Sequence, residues 1–180
     1  TKGLSILPAP TYDRTSLLSR LISWIKYLIY VSKIIIKSKK NEGFFIVSNP
    51  PFLGIWFWIL SRVFNRPYVV LIYDIYPDVL VMMGVVKKSN PLVHIWDKFN
   101  KKVYNDASAV VTIGHKMAER IAWKNASELV LPRVIEPWAD TTYIKPIPFS
   151  ENPLKNEINP LGKHVILYSG NMGISHDIES

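Results

Sequence analysis

The chain has 180 residues, 48% of them hydrophobic and 12% aromatic, enough to bury a full core, and this excludes global disorder. It has no cysteine, which removes disulfides, thiolate metal sites and a Cys nucleophile, and its four histidines (94, 115, 164, 176) lack metal-ligand spacing. Net charge is +8, and the first forty residues hold eight Lys or Arg against Asp13 alone, so the excess is local and points to a local anionic partner.

Residues 1–12 read as loop, with Pro8 and Pro10. From Ser16 to about Lys39 the pattern is helical: Leu17, Leu18, Leu21, Ile22, Ile25, Leu28, Ile29, Ile35 and Ile36 recur at spacings of one, three and four, and Arg20, Lys26, Lys33 and Lys37 fall off that stripe. Three charges between Leu17 and Ile36 argue against a transmembrane helix. Two readings fit: a cationic helix lying on an anionic bilayer, with Trp24, Tyr27 and Tyr30 at headgroup depth, or a helix packed on its own sheet with a solvated basic edge.

Phe44 to Ser48 is an unbroken β-rich run and predicts a buried parallel strand. Asn49-Pro50-Pro51 stops it, and Phe52 to Phe64, apolar on nearly every side, predicts a buried crossover helix too short to span a bilayer. Tyr68 to Asp74 predicts a second strand, followed by the loop Ile75 to Asp78, a short helix ending at Gly84, and a helix from Pro91 to Asn105. Ala109 to Ile113 predicts a third strand, Lys116 to about Trp123 a helix, and Val130 to Ile135 a fourth strand. Alternation of this kind predicts an α/β, doubly wound parallel sheet with right-handed crossovers.

In such a sheet the C-terminal strand ends share one edge, where ligands bind. Asn49, Asp74, Tyr76, Asp78 and His115 should therefore converge, although each also fits a local role as a cap or turn residue. Residues 141–162 hold four prolines and little periodicity and read as a linker. Val165 to Tyr168 then predicts a buried strand, Ser169 to Gly173 a glycine loop, and Ile174 to Ser180 a helix start capped by Ser175. A glycine loop at a helix N-terminus can cradle a phosphate, and it can equally be an ordinary turn.

Five ordered stretches carry a resemblance: SNPPFLG (Ser48 to Gly54), YDIYPDVLVMMG (Tyr73 to Gly84), DASAVVTIGHKMAERI (Asp106 to Ile121), VIEPWAD (Val134 to Asp140) and YSGNMGISHDIE (Tyr168 to Glu179). Together they resemble bacterial glycosyltransferases of family 4, retaining enzymes of GT-B fold that build surface polysaccharides. The resemblance implies residues 1–140 as a Rossmann-like acceptor domain without its first βα unit, and residues 163–180 as the truncated start of a donor-binding domain. It implies transfer of a hexosyl group from a nucleotide sugar to a lipid-linked saccharide, with no metal and no cofactor, at the cytoplasmic face of the bacterial plasma membrane. An anionic membrane would meet Ser16 to Lys39, and nucleic acid would not be a partner.

Gly170, Asn171, Met172, Gly173 and His176 would contact the donor; Asn49, Asp74, Tyr76, Asp78 and His115 would face acceptor or transferred sugar; no residue is assigned as the catalytic base. His176 stands about where many relatives carry Arg, and neutral His is a weaker partner for a diphosphate. Glu136-Pro137 stands where relatives show Pro-Asn. The paired glutamates that hold the donor in this family would lie beyond Ser180, so residues 1–180 alone are expected not to turn over.

The alternative reading is a basic membrane- or nucleic-acid-binding α/β module without catalysis, though no nucleic-acid motif is present. No G-x-G-x-x-G follows a strand, against a dinucleotide oxidoreductase. Val47-Ser48-Asn49-Pro50 is no nucleophile elbow, against a Ser48-His115-Asp74 hydrolase.

Overall fold

The computed structural model describes residues 5–13, 15–125, 131–158 and 164–170. It divides into two compact units, Thr1–Glu136 and Pro137–Ser180. In chain order the first unit contains α1 (Leu17–Lys37), β1 (Phe44–Val47), α2 (Leu53–Phe64), β2 (Tyr68–Ile72), α3 (Asp78–Met82), α4 (Pro91–Asp106), β3 (Ala109–Thr112), α5 (His115–Lys124) and β4 (Arg133–Val134).

Local chemistry sets the helix ends. Ser16 caps α1: its Oγ accepts from the Ser19 amide at 3.1 Å, and the Ser19 Oγ accepts from the Ser16 amide at 2.9 Å, a reciprocal capping box. At the other end the guanidinium of buried Arg66 donates to the Ser38 carbonyl at 2.7 Å and to its Oγ at 3.0 Å, placing a cation where the helix dipole is negative. Asn65 takes the left-handed conformation that ends α2. Gly84, at φ +70°, turns the chain after α3, a backbone conformation that a side chain would strain. The Asn90 side chain caps α4, with Pro91 in its first turn.

The sheet is parallel throughout, in the order β1-β2-β3-β4, with Val47 opposite Leu71 and Ile72 opposite Thr112. The α/β class and the parallel sheet are as the alternation of elements predicts. The described strands lie in sequence order, with no reversal among them, and right-handed crossovers that all advance one way place their helices on one face. The core agrees: Tyr68, Val70 and Ile72 of β2 meet Ile46, Val110, Phe57 of α2, Val103 of α4, Ile121 of α5 and Ile35 of α1. The Tyr68 hydroxyl, carried into this core, donates to the Val103 carbonyl at 2.6 Å.

Three expectations differ from the structure. β1 is buried on its helix face only, since Ile46 is 6% exposed while Phe45, on the opposite face, is 63% exposed. β4 is a two-residue strand rather than six; Val130 lies outside the described residues, and the Ile135 amide continues the ladder to the Thr112 carbonyl at 2.9 Å. Val165 to Tyr168 is not a strand: His164 to Ser169 has no regular structure, and Ile166 is fully exposed. An apolar β-rich run becomes a strand only when a ladder partner satisfies its backbone, and among the described residues none does. The second unit otherwise shows a 3₁₀ turn (Phe149–Glu151) and a one-turn helix, α6 (Lys155–Ile158), inside the stretch read as linker.

Candidate functional site

The register fixes where the strand ends fall. Because β1, β2 and β3 are parallel and level, Ser48-Asn49, Tyr73-Asp74 and Ile113 to His115 leave the sheet at one edge. Ser48 ties two of these exits together, its Oγ accepting from the amides of Tyr73 at 3.0 Å and Asp74 at 3.2 Å. That hydroxyl has a structural task, which further removes it from nucleophile chemistry.

Beyond the β2 exit, a cavity of about 1170 Å³ opens among α3, α4 and α5. Its size lies just above the range of about 300–1,000 Å³ usual for small-molecule sites. Asp74, Tyr76 and Asp78 line it, whereas Asn49 and His115 do not, although Lys116 and Met117 beside His115 do. Tyr76 is held from both sides: its ring stacks on Trp96 at 5.8 Å with an interplanar angle of 4°, and its carbonyl accepts from the Asn100 side chain at 2.7 Å. Burial, aided by the nearby Asp74 charge, raises the Tyr76 phenol above its usual range, so the hydroxyl is neutral and able to donate. Tyr104, deep in the lining, is raised by burial and then by Asp97 and Asp78.

Asp78 is not free to hold a ligand by both oxygens. One accepts from Arg120 Nε at 2.7 Å and the other from Lys124 Nζ, while Lys124 also reaches Asp97 at 2.7 Å. Arg120 in turn lies 4.7 Å from the Trp123 ring centre. This network was not legible in the sequence, because its members are 27 to 46 residues apart and only the folded α4–α5 geometry brings them together. The spacing His94, Asp97, Lys98, Lys101, Tyr104 along α4 is a signal that was available, since it is one helical face, and all five line the cavity.

Of the residues expected at the donor, Gly170 is described, in a bend where an added Cβ would lie 3.5 Å from the Tyr168 hydroxyl; Asn171, Met172, Gly173 and His176 lie outside the described residues. Among the described residues no three His, Asp or Glu side chains group as metal ligands would.

The chain is 27% identical over 173 residues to the probable glycosyltransferase WbjE of Pseudomonas aeruginosa, across 95% of its own length. It spans 43% of the length of that relative. No protein-family model matches the chain, and no solved structure matches it.

Proposed function

We propose that this chain is the acceptor-side part of a retaining glycosyltransferase that moves a hexosyl group from a nucleotide sugar to a lipid-linked saccharide during surface-polysaccharide synthesis. The observation that carries the reading is the similarity to a probable glycosyltransferase along 95% of the chain, on a parallel sheet whose strand ends gather polar residues at one edge. Asp74, Tyr76 and Asp78 face the acceptor or transferred sugar in this reading, with Asn49 and His115 on the same edge. Gly170, Asn171, Met172, Gly173 and His176 engage the donor, whose leaving diphosphate is stabilised by backbone amides and basic side chains without a metal.

The acceptor's lipid places the protein at the cytoplasmic face of the bacterial plasma membrane. No helix among the described residues is long and apolar enough to cross a membrane. A peripheral contact has support on α1, where Leu17, Leu18, Leu21, Ile22, Ile25, Ile29 and Ile36 are all exposed and no acidic residue interrupts Arg20, Lys26, Lys33 and Lys37. The stripe continues sideways. Trp56 Nε1 donates to Ser32 at 2.9 Å and brings the exposed row Phe52, Trp56, Ile59 and Val63 of α2 beside it. A cationic, aliphatic face of this kind suits an anionic bilayer and not the polar backbone of a nucleic acid.

The test is incorporation of labelled sugar into the lipid fraction by the full-length protein supplied with bacterial membranes and a panel of nucleotide sugars. Transfer from one donor is expected, with Asp74→Asn at least tenfold slower and residues 1–180 alone inactive. Absence of transfer from every donor overturns the reading.

A further inference from the structure

We infer that Trp96 and Asn100, one turn apart on α4, are positioning residues for Tyr76: together they fix its ring and hydroxyl in the wall of the cavity, where Tyr76 meets what binds there. The consequence for turnover rests on the glycosyltransferase reading; the placement of Tyr76 does not.

The segment that carries Tyr76 is anchored on either side of it by other elements. Ser48 Oγ holds the amides of Tyr73 and Asp74, at 3.0 Å and 3.2 Å, and Arg120 and Lys124 hold the Asp78 carboxylate. Ile75 and Pro77, the immediate neighbours, are buried. Tyr76 itself is gripped from α4. Asn100 Nδ2 donates to its carbonyl at 2.7 Å, and the Trp96 ring lies 5.8 Å from its own, with the planes only 4° apart. Residues four apart on a helix share one face, so both grips come from a single rigid element. Among the described residues the Tyr76 hydroxyl takes part in no hydrogen bond, although Tyr76 lines the cavity. A phenol held by its backbone and its ring while its hydroxyl stays uncommitted is a donor kept in place for a ligand.

Trp96 is the sharper case, because it touches Tyr76 without lining the cavity and so acts there only through Tyr76. It also stacks on Phe52 at the start of α2, with ring centres 4.3 Å apart and planes at 24°, which ties its own orientation to a second helix. Its Nε1–H is buried and has no hydrogen-bond partner among the described residues. A phenylalanine here would spare the fold an unsatisfied donor, so the position uses the breadth of the indole ring and not its N–H.

The placement of Tyr76 has a direct readout. Burial raises its phenol above the ordinary 10.0, with Asp74 and Tyr12 adding to the shift, so a loosened ring titrates closer to that value. Alkaline titration of residues 1–180, followed by phenolate absorbance and corrected by the same titration of Tyr76→Phe, isolates this phenol among nine tyrosines. Trp96→Leu and Asn100→Leu are each expected to lower the midpoint, and Trp96→Phe, which keeps a ring to stack on, to fall between Trp96→Leu and the parent chain. Urea unfolding of each variant is measured alongside. A loss of stability with the Tyr76 midpoint unmoved is what a merely structural role gives, and it overturns the inference. Where a leucine variant does not fold, Trp96→Phe decides: a lowered midpoint supports the inference and an unchanged one overturns it. In the full-length protein both leucine variants are expected to lower kcat for sugar transfer about tenfold while the donor KM stays within about twofold, and Asn100→Gln, which keeps the donor group, is expected to recover most of that loss. Full kcat in both leucine variants overturns the inference even where the midpoint moves. A parent enzyme that transfers nothing removes the transferase reading instead, and the titration then decides the placement of Tyr76 by itself.

Discussion

With 10% of its side chain exposed, Lys124 sits between the carboxylates of Asp78 in α3 and Asp97 in α4, and its charge offsets both. Removing one member of a buried ion cluster leaves the others desolvated and uncompensated, at a cost of about 3–5 kcal/mol. Lys124→Ala is therefore expected to lower unfolding free energy by about that amount in urea. Lys116→Ala, which breaks a pair whose lysine is 91% exposed, should stay within about 0.5 kcal/mol. Equal effects would show that the cluster is solvated. Tyr104 gives a pH signature. Its phenol is raised by burial above the ordinary value of 10.0, so the native state holds a proton that the unfolded chain releases. Stability from this group is complete below pH 10.0 and falls as pH rises past it. Tyr104→Phe should flatten the loss between neutral pH and pH 11, read from urea midpoints at each pH.

At the scale of elements, α1 shows what periodicity can and cannot deliver. The spacing of its aliphatic residues predicts a helix over Ser16 to Lys39, and the helix runs Leu17–Lys37 between Ser caps. Which way the stripe points is another matter. The buried residues of α1 are Ser23 and Ile35, while Leu17 is 78% exposed. Ser23 is inside because its Oγ donates to the Ser19 carbonyl at 2.8 Å and accepts the Asp13 amide at 3.1 Å, a use of a hydroxyl that hydropathy cannot anticipate. Trp24, Tyr27 and Tyr30 are half-buried, so the exposed face is aliphatic rather than aromatic. Leu18→Ser/Ile25→Ser is expected to leave the melting temperature within about 2 °C and to lower co-sedimentation with vesicles containing anionic lipid several-fold. Ile35→Ser, fully buried in the same helix, should instead cost several kcal/mol, on the order of 3 or more. Unchanged sedimentation of the double variant would remove α1 from the membrane proposal.

For the whole molecule, the legible part is the part written in local pattern. Strand and helix order and the common edge of Asp74 and His115 follow from runs of residues that are near one another in sequence. The cavity is not written that way. His115 begins α5 and misses the lining, while Lys124 and Asn125, nine and ten residues later on the same chain segment, enter it. Val165 to Tyr168 marks the opposite limit: composition suits a strand, and the missing ingredient is a neighbour. The distribution of burial makes a last prediction. Every buried apolar residue of the described core lies between Ile35 and Ile121, and the described residues of Pro137–Ser180 include no buried residue. Hydrophobic stabilisation scales with area removed from water, so the second unit contributes little to cooperative unfolding of the first. Residues 1–136 alone should therefore melt within about 3 °C of residues 1–180. A large fall in melting temperature would mean that the sheet needs the second unit for its own stability, and the division at Glu136 would then not be a boundary between independently folding parts.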